Sequence, residues 1–433
     1  MQAQWIIERK RDGEVLTDDE IGAFVAAYVQ GGVPDYQMSA FAMAVFFRGM
    51  TAAETAALTR AMRDSGTVLE RHGSAPRIDK HSTGGVGDKV SLVLAPLAAA
   101  CGLTVPMIAG RGLGLTGGTI DKLDAIPGFR TGLEPDEINA ALDACGCAIA
   151  SQGKSLAPAD RRFYPLRDVT GTAVSVPLIV ASILSKKLAE NLDGLVLNVM
   201  CGRGALMQTT HEARDLARAL LDTARTLGLR AVAVLGDMNR PLGAAVGNAL
   251  EVEEAIAVLR GAGPAIVREA VLSLGVEMLR LSRLAPGARE ARSRLELALD
   301  GGAALDRFRA MLRAQGGDER IVDDSARLPR ARFVTPFKAA AAGVVRNVDA
   351  DSVARACMEL GAGRSRMDEA IDPAVGLSAI VPVGTLVELG EALAFVHAND
   401  ETRRAAAELH LLKAFDVGEL ATPPGPFVLE RLT

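Results

Sequence analysis

The stretch VPMIAGRGLGLTGGTID, residues 105–121, joins a short apolar run to a glycine-rich loop. A short apolar run that ends at glycine is typical of a buried strand. Apolar runs recur at 195–199 and 231–235, and residues 210–227 have the pattern of an amphipathic helix. Buried strands that alternate with helices predict an α/β fold with a mixed, mainly parallel sheet.

The first 66 residues lack this alternation and are predicted to be all helical. Thr17 with Glu20, and Thr51 with Glu54, have the spacing of capping boxes and predict helix starts. A helical pattern returns at 158–189, inside the α/β stretch, and is expected to rejoin the N-terminal helices. The predicted organisation is a small all-helical domain of residues 1–66 plus 155–190, a large α/β domain of residues 76–150 plus 193–330, and a C-terminal α+β part of the large domain at residues 331–433.

Composition and charge exclude several classes of protein. The chain has 433 residues, 49% apolar and 23% charged, as in a globular protein with a large core. Its net charge of -5 gives no general attraction to nucleic acid or to an anionic membrane. The uncharged stretch 90–110 is broken by Pro96 and Pro106, which favours a helix followed by a strand over a membrane span. Five cysteines without a Cys-x-x-Cys pair, and a charged N-terminus, predict a cytoplasmic protein with reduced thiols.

The densest candidate site is DKHSTGGVGDK at residues 79–89. Three glycines within four residues let backbone N–H groups converge on an anion. Lys80 adds charge, Ser82 adds a hydroxyl, and Ser91 is predicted to open a helix whose N-terminus favours phosphate. A glycine turn by itself is most often a plain connection between a strand and a helix. The presence of Lys80, His81 and Ser82, with His81 placed in the glycine loop, favours a phosphate site instead.

The glycine loop that follows residue 108 is a second candidate for the same anion. Its sequence matches neither the P-loop G-x-x-x-x-G-K-[ST] nor a dinucleotide-binding G-x-G-x-x-G with a later acidic residue. Because such a loop lies at the carboxyl edge of a sheet, it belongs where α/β proteins bind ligands. The two loops together predict one phosphate that is held from two sides.

A third cluster is basic and contains Tyr164, Arg167, Ser182, Lys186 and Lys187. Ser182 and Lys186 are four residues apart and therefore share a helix face. Such cations suit an electron-rich heterocycle or a second anion, although a solvated helix end is the commoner explanation. The chain has no histidine spacing of a zinc site and no G-x-S-x-G motif of an α/β-hydrolase.

Several motifs in register cover essentially the whole chain. They are KHSTGGVGD at 80–88, GRGLG at 110–114, TGGT at 116–119, DKL at 121–123, LRDVT at 166–170, SILSKKLAE at 182–190, PLG at 241–243 and GNALEV at 247–252. In their order and spacing the chain resembles the thymidine phosphorylase and pyrimidine-nucleoside phosphorylase family. The stretch DKVSLVLAP at 88–96 looks most like the thymidine-preferring branch of that family.

The resemblance implies a small helical domain that faces the α/β domain across a cleft, and a homodimer formed through the helical domain. It implies that a pyrimidine nucleoside reacts with phosphate to give a free base and a (deoxy)ribose 1-phosphate. Phosphate is then a substrate, so no cofactor is expected and no metal is needed to make a nucleophile. Neither nucleic acid nor membrane is an expected partner.

The resemblance also assigns roles to individual residues. Arg167, Ser182 and Lys186 would hold the pyrimidine ring, and Tyr164 would line its pocket. His81 would contact a base carbonyl as a general acid, which makes His81, Arg167 and Lys186 the expected catalytic group. Four residues would hold phosphate: Lys80, Ser82, Ser91 and Thr119.

The chain departs from the usual sequence of the family at three positions. Ala109 replaces a serine, which removes a hydroxyl from the phosphate site at a cost of roughly 1.5–3 kcal/mol. Leu115 replaces a histidine and makes that wall of the pocket less polar. Met200 replaces a lysine, whose charge Arg203 is expected to return. These changes concern substrate preference more than reaction class.

Some relatives bind potassium near the phosphate loop. Gly87, Leu242, Ala245 and Glu254 match those positions, but Lys89 stands where a hydroxyl ligand would be. We predict that the Lys89 ammonium replaces the cation and pairs with Glu254, so that no metal is bound.

Other functions remain open on the sequence alone. A broader pyrimidine-nucleoside phosphorylase would also accept uridine. A phosphoribosyltransferase such as the anthranilate enzyme is a more distant relative by fold, but the Asp-rich metal motif that it needs is not evident. A catalytically weak binding protein is favoured by Ala109, Leu115 and Met200 and opposed by the intact basic cluster. Phosphate-dependent turnover separates the enzymes from the binding protein.

Overall fold

The computed structural model describes residues 2–112, 117–364 and 369–433. Its helices are α1 (Ala3–Asp12), α2 (Asp18–Val29), α3 (Asp35–Arg48), α4 (Ala52–Asp64), α5 (Val90–Ala100), α6 (Thr119–Leu123), α7 (Pro135–Cys145), α8 (Pro158–Val169), α9 (Val176–Ala189), α10 (Thr210–Thr226), α11 (Asn248–Leu259), α12 (Ala265–Leu281), α13 (Ala288–Asp300), α14 (Ala303–Ala314), α15 (Ala350–Leu360) and α16 (Glu401–Ala414). Its strands are β1 (Ile78–Ser82), β2 (Val105–Ala109), β3 (Cys147–Ser151), β4 (Gly194–Cys201), β5 (Ala231–Asp237), β6 (Phe333–Lys338), β7 (Gly343–Val348), β8 (Gly376–Ser378), β9 (Leu386–Val387), β10 (Ala392–Ala398), β11 (Phe415–Gly418) and β12 (Val428–Leu432). Two short 3₁₀ turns, Glu319–Val322 and Ser325–Arg327, follow α14.

Helices α1 to α4 share one apolar core with α8 and α9. The ring centroids of Phe24 and Phe41 lie 4.8 Å apart, and Phe163 of α8 packs edge-on against Tyr28 of α2 at 6.3 Å. Helix α9 is buried along nearly its whole length, because Leu178 and neighbouring residues face this core while other side chains face the α/β layer. Helix α9 therefore connects the helical layer to the α/β layer.

Both capping boxes expected from the sequence are present. The Thr17 hydroxyl accepts a hydrogen bond from the Glu20 N–H, and the Thr51 hydroxyl accepts one from the Glu54 N–H. Helix α1 precedes the first box and was not predicted as a separate element. Its polar sequence has little apolar periodicity, and only two of its ten residues are buried. The helix is therefore stabilised mainly by its packing on α3, which the local sequence does not indicate.

The central sheet has the order β1-β4-β5-β12. Strands β1, β4 and β5 are parallel, and β12 is antiparallel to β5, so the sheet is mixed and mainly parallel as predicted. Strands β2 and β3 form a separate parallel pair beside it, which an isolated bridge from Arg77 to Thr104 connects to the β1 end. Because β1 and β2 run in the same direction, the glycine loops after them meet at one edge.

The sequence placed His81 in a glycine loop, whereas the structure places it on a strand. Residues 78–82 form β1, and His81 pairs with Leu197 of β4. A run of five residues that is mostly polar does not have an apolar strand pattern. Pairing with the fully buried β4 outweighs that local composition, and it fixes the backbone of Lys80 and His81 more firmly than a loop would.

The C-terminal residues form two small antiparallel sheets with helices α15 and α16 packed together beside them. The sheet orders are β6-β10-β8 and β11-β7-β9. Strand β12 then returns to the central sheet and pairs with β5. The last strand of the chain thus completes the sheet that carries the site. Within the ranges that the structure describes, no helix is long and apolar enough to cross a membrane.

Candidate functional site

A cavity of about 110 Å³ lies at the carboxyl edge of β1 and β2. The strand ends and their glycine loops form one part of its wall, and α8 and α9 form another. Nine residues singled out from the sequence all line this cavity: Lys80, His81, Ser82, Ser91, Thr119, Tyr164, Arg167, Ser182 and Lys186. The fold therefore brings together three clusters that lie far apart in the sequence.

The part of the cavity suited to phosphate combines charge, hydroxyls and a tight turn. The Lys80 amine lies 3.1 Å from the Ser91 hydroxyl, and both residues are buried. Burial lowers the pKa of Lys80, and the nearby Asp88 carboxylate opposes that shift. Gly87 has φ +75°, and a Cβ there would lie 2.8 Å from the Leu242 carbonyl oxygen. Glycine at 87 is thus required both by its own backbone conformation and by the close approach of the Leu242 backbone.

Lys122 connects the two glycine loops of the cavity, although no pattern in the sequence assigned it a role. Its amine donates to the Asp88 carbonyl at 2.8 Å and to the Gly117 carbonyl at 3.1 Å. It also pairs with Glu251 of α11 at 3.0 Å, and both side chains are buried. One lysine thus ties the two glycine loops to each other and to a helix behind them. The motif DKL at 121–123 contains it, but only the fold reveals what it contacts.

Arg167 is held by the backbone rather than by a carboxylate bond. Its two Nη atoms donate to the carbonyls of Leu178 at 3.0 Å and Ala173 at 2.8 Å. The side chain is 2% exposed, and its Nε has no hydrogen-bond partner within the described protein. Because Arg167 lines the cavity, its guanidinium brings a buried positive charge to that wall.

Lys186 has a charged partner that the sequence analysis missed. Its amine lies 2.5 Å from Asp160 Oδ2 and also donates to the Ser182 carbonyl at 2.6 Å and the Ser182 hydroxyl at 3.0 Å. Burial lowers the pKa of Lys186, and Asp160 opposes that shift. Asp160 lies 26 residues from Lys186 in sequence, so no local pattern indicated the pair.

His81 stands among several cations at the end of β1. Burial in the pocket and the positive charges of Lys187, Lys186 and Lys80 lower its pKa well below the ordinary value of 6.5. The imidazole is therefore neutral at pH 7 and has one N–H to donate. Tyr164 contributes its ring, over which the Lys186 amine lies 5.5 Å from the centroid.

Family models account for most of the chain. Residues 4–66 match the helical bundle domain of the glycosyl transferase family, and residues 74–305 match the a/b domain of the same family. Residues 344–417 match the pyrimidine nucleoside phosphorylase C-terminal domain. The thymidine phosphorylase of Burkholderia cenocepacia strain HI2424 is 47% identical over 434 residues, which cover 99% of each chain. This chain belongs to the thymidine phosphorylase and pyrimidine-nucleoside phosphorylase family.

Relatives of both kinds are equally similar to this family member. The pyrimidine-nucleoside phosphorylase of Geobacillus stearothermophilus is 47% identical over 397 residues, which cover 92% of each chain. Among solved structures, anthranilate phosphoribosyltransferase from Thermus thermophilus is similar with a TM-score of 0.59 and 21% identity, over 73% of this chain and 99% of that one. That likeness shows a shared fold. The chain is a pentosyltransferase of the glycosyl transferase family.

The three departures from the family sequence have different positions. Ala109 lines the cavity beside the second glycine loop. Leu115 lies outside the described residues. Met200 is fully buried in β4, and its backbone N–H donates to the Thr83 hydroxyl at 2.9 Å. The expectation that Arg203 returns a charge to the site is wrong, because its guanidinium pairs with Asp349 and is largely exposed.

Lys89 lies where several oxygens converge behind the first glycine loop. Its fully buried amine donates to the carbonyls of Leu242 at 2.8 Å and Ala245 at 2.9 Å, and it pairs with the Glu254 carboxylate. Glu254 also accepts from the Ala244 N–H at 2.9 Å. Two carbonyls and a carboxylate would suit a potassium ion, but the Lys89 ammonium already occupies the position between them and donates to all three groups. These residues therefore do not fit an added metal.

Proposed function

We propose that this enzyme catalyses the reversible phosphorolysis of thymidine, or deoxyuridine, to the free base and 2-deoxy-α-D-ribose 1-phosphate. The observation that carries the proposal is the composition of the cavity at the edge of β1 and β2. One wall presents Lys80, Ser82 and two glycine loops, which suit phosphate, while α8 and α9 present Arg167 and Lys186, which suit a pyrimidine. A nucleoside that spans the cavity would have its anomeric carbon between the two walls.

The chemistry explains why cations line the base wall. A phosphate oxygen forms a bond to the anomeric carbon as the bond between that carbon and the base nitrogen breaks. The electron pair of the broken bond goes to the pyrimidine, whose carbonyl oxygens gain negative charge. Preorganised cations and N–H donors at those oxygens stabilise the transition state more than the ground state. Arg167 and Lys186 supply the charge, and Ser182 fixes the orientation of the ring.

His81 acts in this scheme as a neutral hydrogen-bond donor to a base carbonyl. A general acid that is an imidazolium in the resting enzyme would need an ordinary or raised pKa. Burial and three neighbouring lysines instead lower the pKa of His81. A doubly charged phosphate in the adjacent site would oppose that effect and favour proton uptake at His81 once phosphate is bound.

No cofactor takes part in the proposed reaction, and phosphate is the second substrate. The nucleophile already carries negative charge, so no metal is needed to generate it. The position where some relatives would hold a monovalent cation carries the Lys89 ammonium. We expect turnover to be the same in sodium and potassium salts.

A homodimer formed through the helical domain is part of the proposal. Helices α1 and α3 pack together and expose large apolar side chains, including Trp5, Tyr36 and Phe47. Exposed aromatic side chains on neighbouring helices are typical of an interaction surface. Phe47→Glu should give a monomer in light scattering. Leu420→Glu, at an exposed apolar side chain outside the helical domain, should leave a dimer. A Phe47→Glu dimer would exclude this face.

We propose a cytoplasmic location and a role in nucleoside salvage. All five cysteines are buried and unpaired, which suits a reducing compartment. Phosphorolysis recovers a base and a sugar phosphate without spending a nucleoside triphosphate. Fractionation of cells into cytoplasmic and secreted material, with antibody detection of the chain, tests the location.

The function is tested by thymine release from thymidine with and without phosphate, repeated with uridine. Release that needs phosphate and is at least tenfold faster with thymidine, about 1.4 kcal/mol of discrimination, supports the proposal. Comparable rates with uridine would assign the broader pyrimidine-nucleoside activity instead. No release from either substrate would favour the nucleoside-binding alternative, for which Ala109 is the described change that lines the cavity.

A further inference from the structure

A buried carboxylate stands behind the pyrimidine wall. Asp160, in the first turn of α8, is fully buried and is not among the residues that line the cavity. Its Oδ2 lies 2.5 Å from the Lys186 amine and accepts a second hydrogen bond from Gln152 Nε2 at 2.9 Å. Its Oδ1 has no hydrogen-bond partner within the described protein. A carboxylate is costly to bury, so this one needs an explanation.

The contacts of Lys186 show what Asp160 contributes. An ammonium group has three N–H bonds, and here they point to Asp160 Oδ2, the Ser182 carbonyl and the Ser182 hydroxyl. Asp160 is the charged acceptor of the three. The bond to the Ser182 hydroxyl, at 3.0 Å, is the longest and joins a group that can rotate. A pyrimidine oxygen can replace that hydroxyl while the other two contacts keep the amine in place.

The charges around Lys186 come from several elements. Asp160 on α8 raises its pKa, while Lys187 on α9 and Arg167 on α8 lower it. His81 on β1 and Tyr164 on α8 also face the same cavity. Because these other neighbours are cationic or neutral, the charge of the amine depends on one carboxylate.

We propose that Asp160 is a positioning residue that holds Lys186 as a directed ammonium group toward the leaving pyrimidine. This inference rests on the proposed phosphorolysis. Gln152 completes the arrangement, because it lies in the segment between β3 and α8 and fixes the carboxylate oxygen that Lys186 uses. By keeping the amine protonated, Asp160 leaves Lys186 and Arg167 as two cations, which stabilise the anionic leaving group more than the bound neutral nucleoside.

The test is the pH profile of kcat/KM for thymidine with Asp160→Asn, which keeps the shape of the side chain and removes its charge. Without the carboxylate the ammonium loses its proton more easily. The alkaline limb of the profile should therefore shift to lower pH by about one unit or more. At neutral pH, kcat/KM should fall by about tenfold to a hundredfold. Ionisation of thymidine itself is common to all variants and cancels in the comparison.

Two further variants separate charge from position and from stability. Gln152→Leu keeps the carboxylate but removes its amide donor, so kcat should fall while the alkaline limb stays in place. Glu54→Gln is the matched control, because Glu54 forms a buried pair with Lys10 at 2.7 Å inside the helical layer, away from the cavity. It should lower the unfolding temperature and leave both the limb and kcat/KM unchanged.

The outcomes distinguish the two levels of the proposal. Wild-type protein without phosphate-dependent thymine release would overturn the proposed function. An active wild type with an unshifted limb in Asp160→Asn would overturn the role of Asp160 alone. If Asp160→Asn does not fold, an unchanged kcat in folded Gln152→Leu would also overturn that role, and a reduced kcat would support it.

Discussion

Replacing Lys89 by methionine removes one positive charge from a place where three oxygens converge. Methionine is about as long as the aliphatic part of the lysine side chain, so the main change is electrostatic. The Glu254 carboxylate, 9% exposed, would remain beside the carbonyls of Leu242 and Ala245 without its cation. Removing one partner of a buried ion pair costs about 3–5 kcal/mol, because the other charge stays buried and unpaired. We expect a loss of that size in the free energy of unfolding.

Urea unfolding followed by fluorescence and circular dichroism measures this loss. In the double variant Lys89→Met with Glu254→Gln no unpaired charge remains, so part of the lost stability should return. The contacts of Lys89 also join the first glycine loop to residues 242–245. Lys89→Met should therefore raise KM for phosphate more than KM for thymidine. A Lys89→Met protein as stable as the wild type would contradict the structural assignment.

Lys89→Thr provides the complementary experiment with a cation. It replaces the ammonium by a hydroxyl and leaves a space that potassium can enter. At a hundredfold excess of potassium over its dissociation constant, binding would stabilise the variant by about 2.7 kcal/mol. The wild type should show neither stabilisation nor activation when sodium is exchanged for potassium. A several-fold increase of wild-type activity in potassium would refute the idea that Lys89 replaces the cation.

Four further predictions follow from the buried charges. Lys186→Ala and Arg167→Ala should each lower kcat/KM by about a hundredfold or more while the protein stays folded, and near-normal turnover would refute their assigned roles. Burial and the Asp79 carboxylate raise the pKa of Glu190 well above its ordinary value, and Lys187, 2.6 Å away, opposes that shift. Glu190→Gln should therefore lower the free energy of unfolding by less than the loss of a fully charged buried partner, about 3–5 kcal/mol. Asp79→Asn should lower the free energy of unfolding by up to about 3–5 kcal/mol in the same urea titration, because Lys187, 2.5 Å from Asp79, would lose this carboxylate and keep Glu190 at 2.6 Å. The lowered pKa of His81 contributes stability that is fully present above its unfolded value of 6.5 and is lost as pH falls toward the folded value. The stability difference between wild type and His81→Gln should therefore shrink between pH 7 and pH 5, and a constant difference would contradict this.

The sequence was most informative where function places several residues within a short motif. Lys80, His81 and Ser82 adjoin one glycine turn, and Ser182 and Lys186 share one helix face, so short-range patterns predicted both groups. The capping boxes at Thr17 and Thr51 were equally local. Residues 3–12 were predicted as helical but not as a separate helix, and strand β1 was missed, because both are stabilised by partners distant in sequence.

Residues that act through long-range contacts could not be found in this way. Asp160 pairs with Lys186, which lies 26 positions away in the sequence. Lys122 of α6 pairs with Glu251 of α11. Asp160 carries no local pattern that distinguishes it from an ordinary surface charge, and the DKL motif that contains Lys122 does not show which residues it contacts. Arg203 shows the converse, since its place in a familiar motif suggested a role in the site that its pairing with Asp349 excludes.

The sequence by itself determined the α/β class, the helical N-terminal region, the family resemblance and nine of the residues that line the cavity. The class and the helical region follow from hydrophobic periodicity and turn chemistry, which act over a few residues, whereas the full set of site residues came from the resemblance to the family. Only the tertiary structure decided which charges are paired and which remain available. Pairing depends on burial and on distances between segments far apart in the chain, and the cost of burying a lone charge makes those partners specific. The pairing of Lys186 with Asp160 and that of Lys89 with Glu254 are therefore properties of the fold.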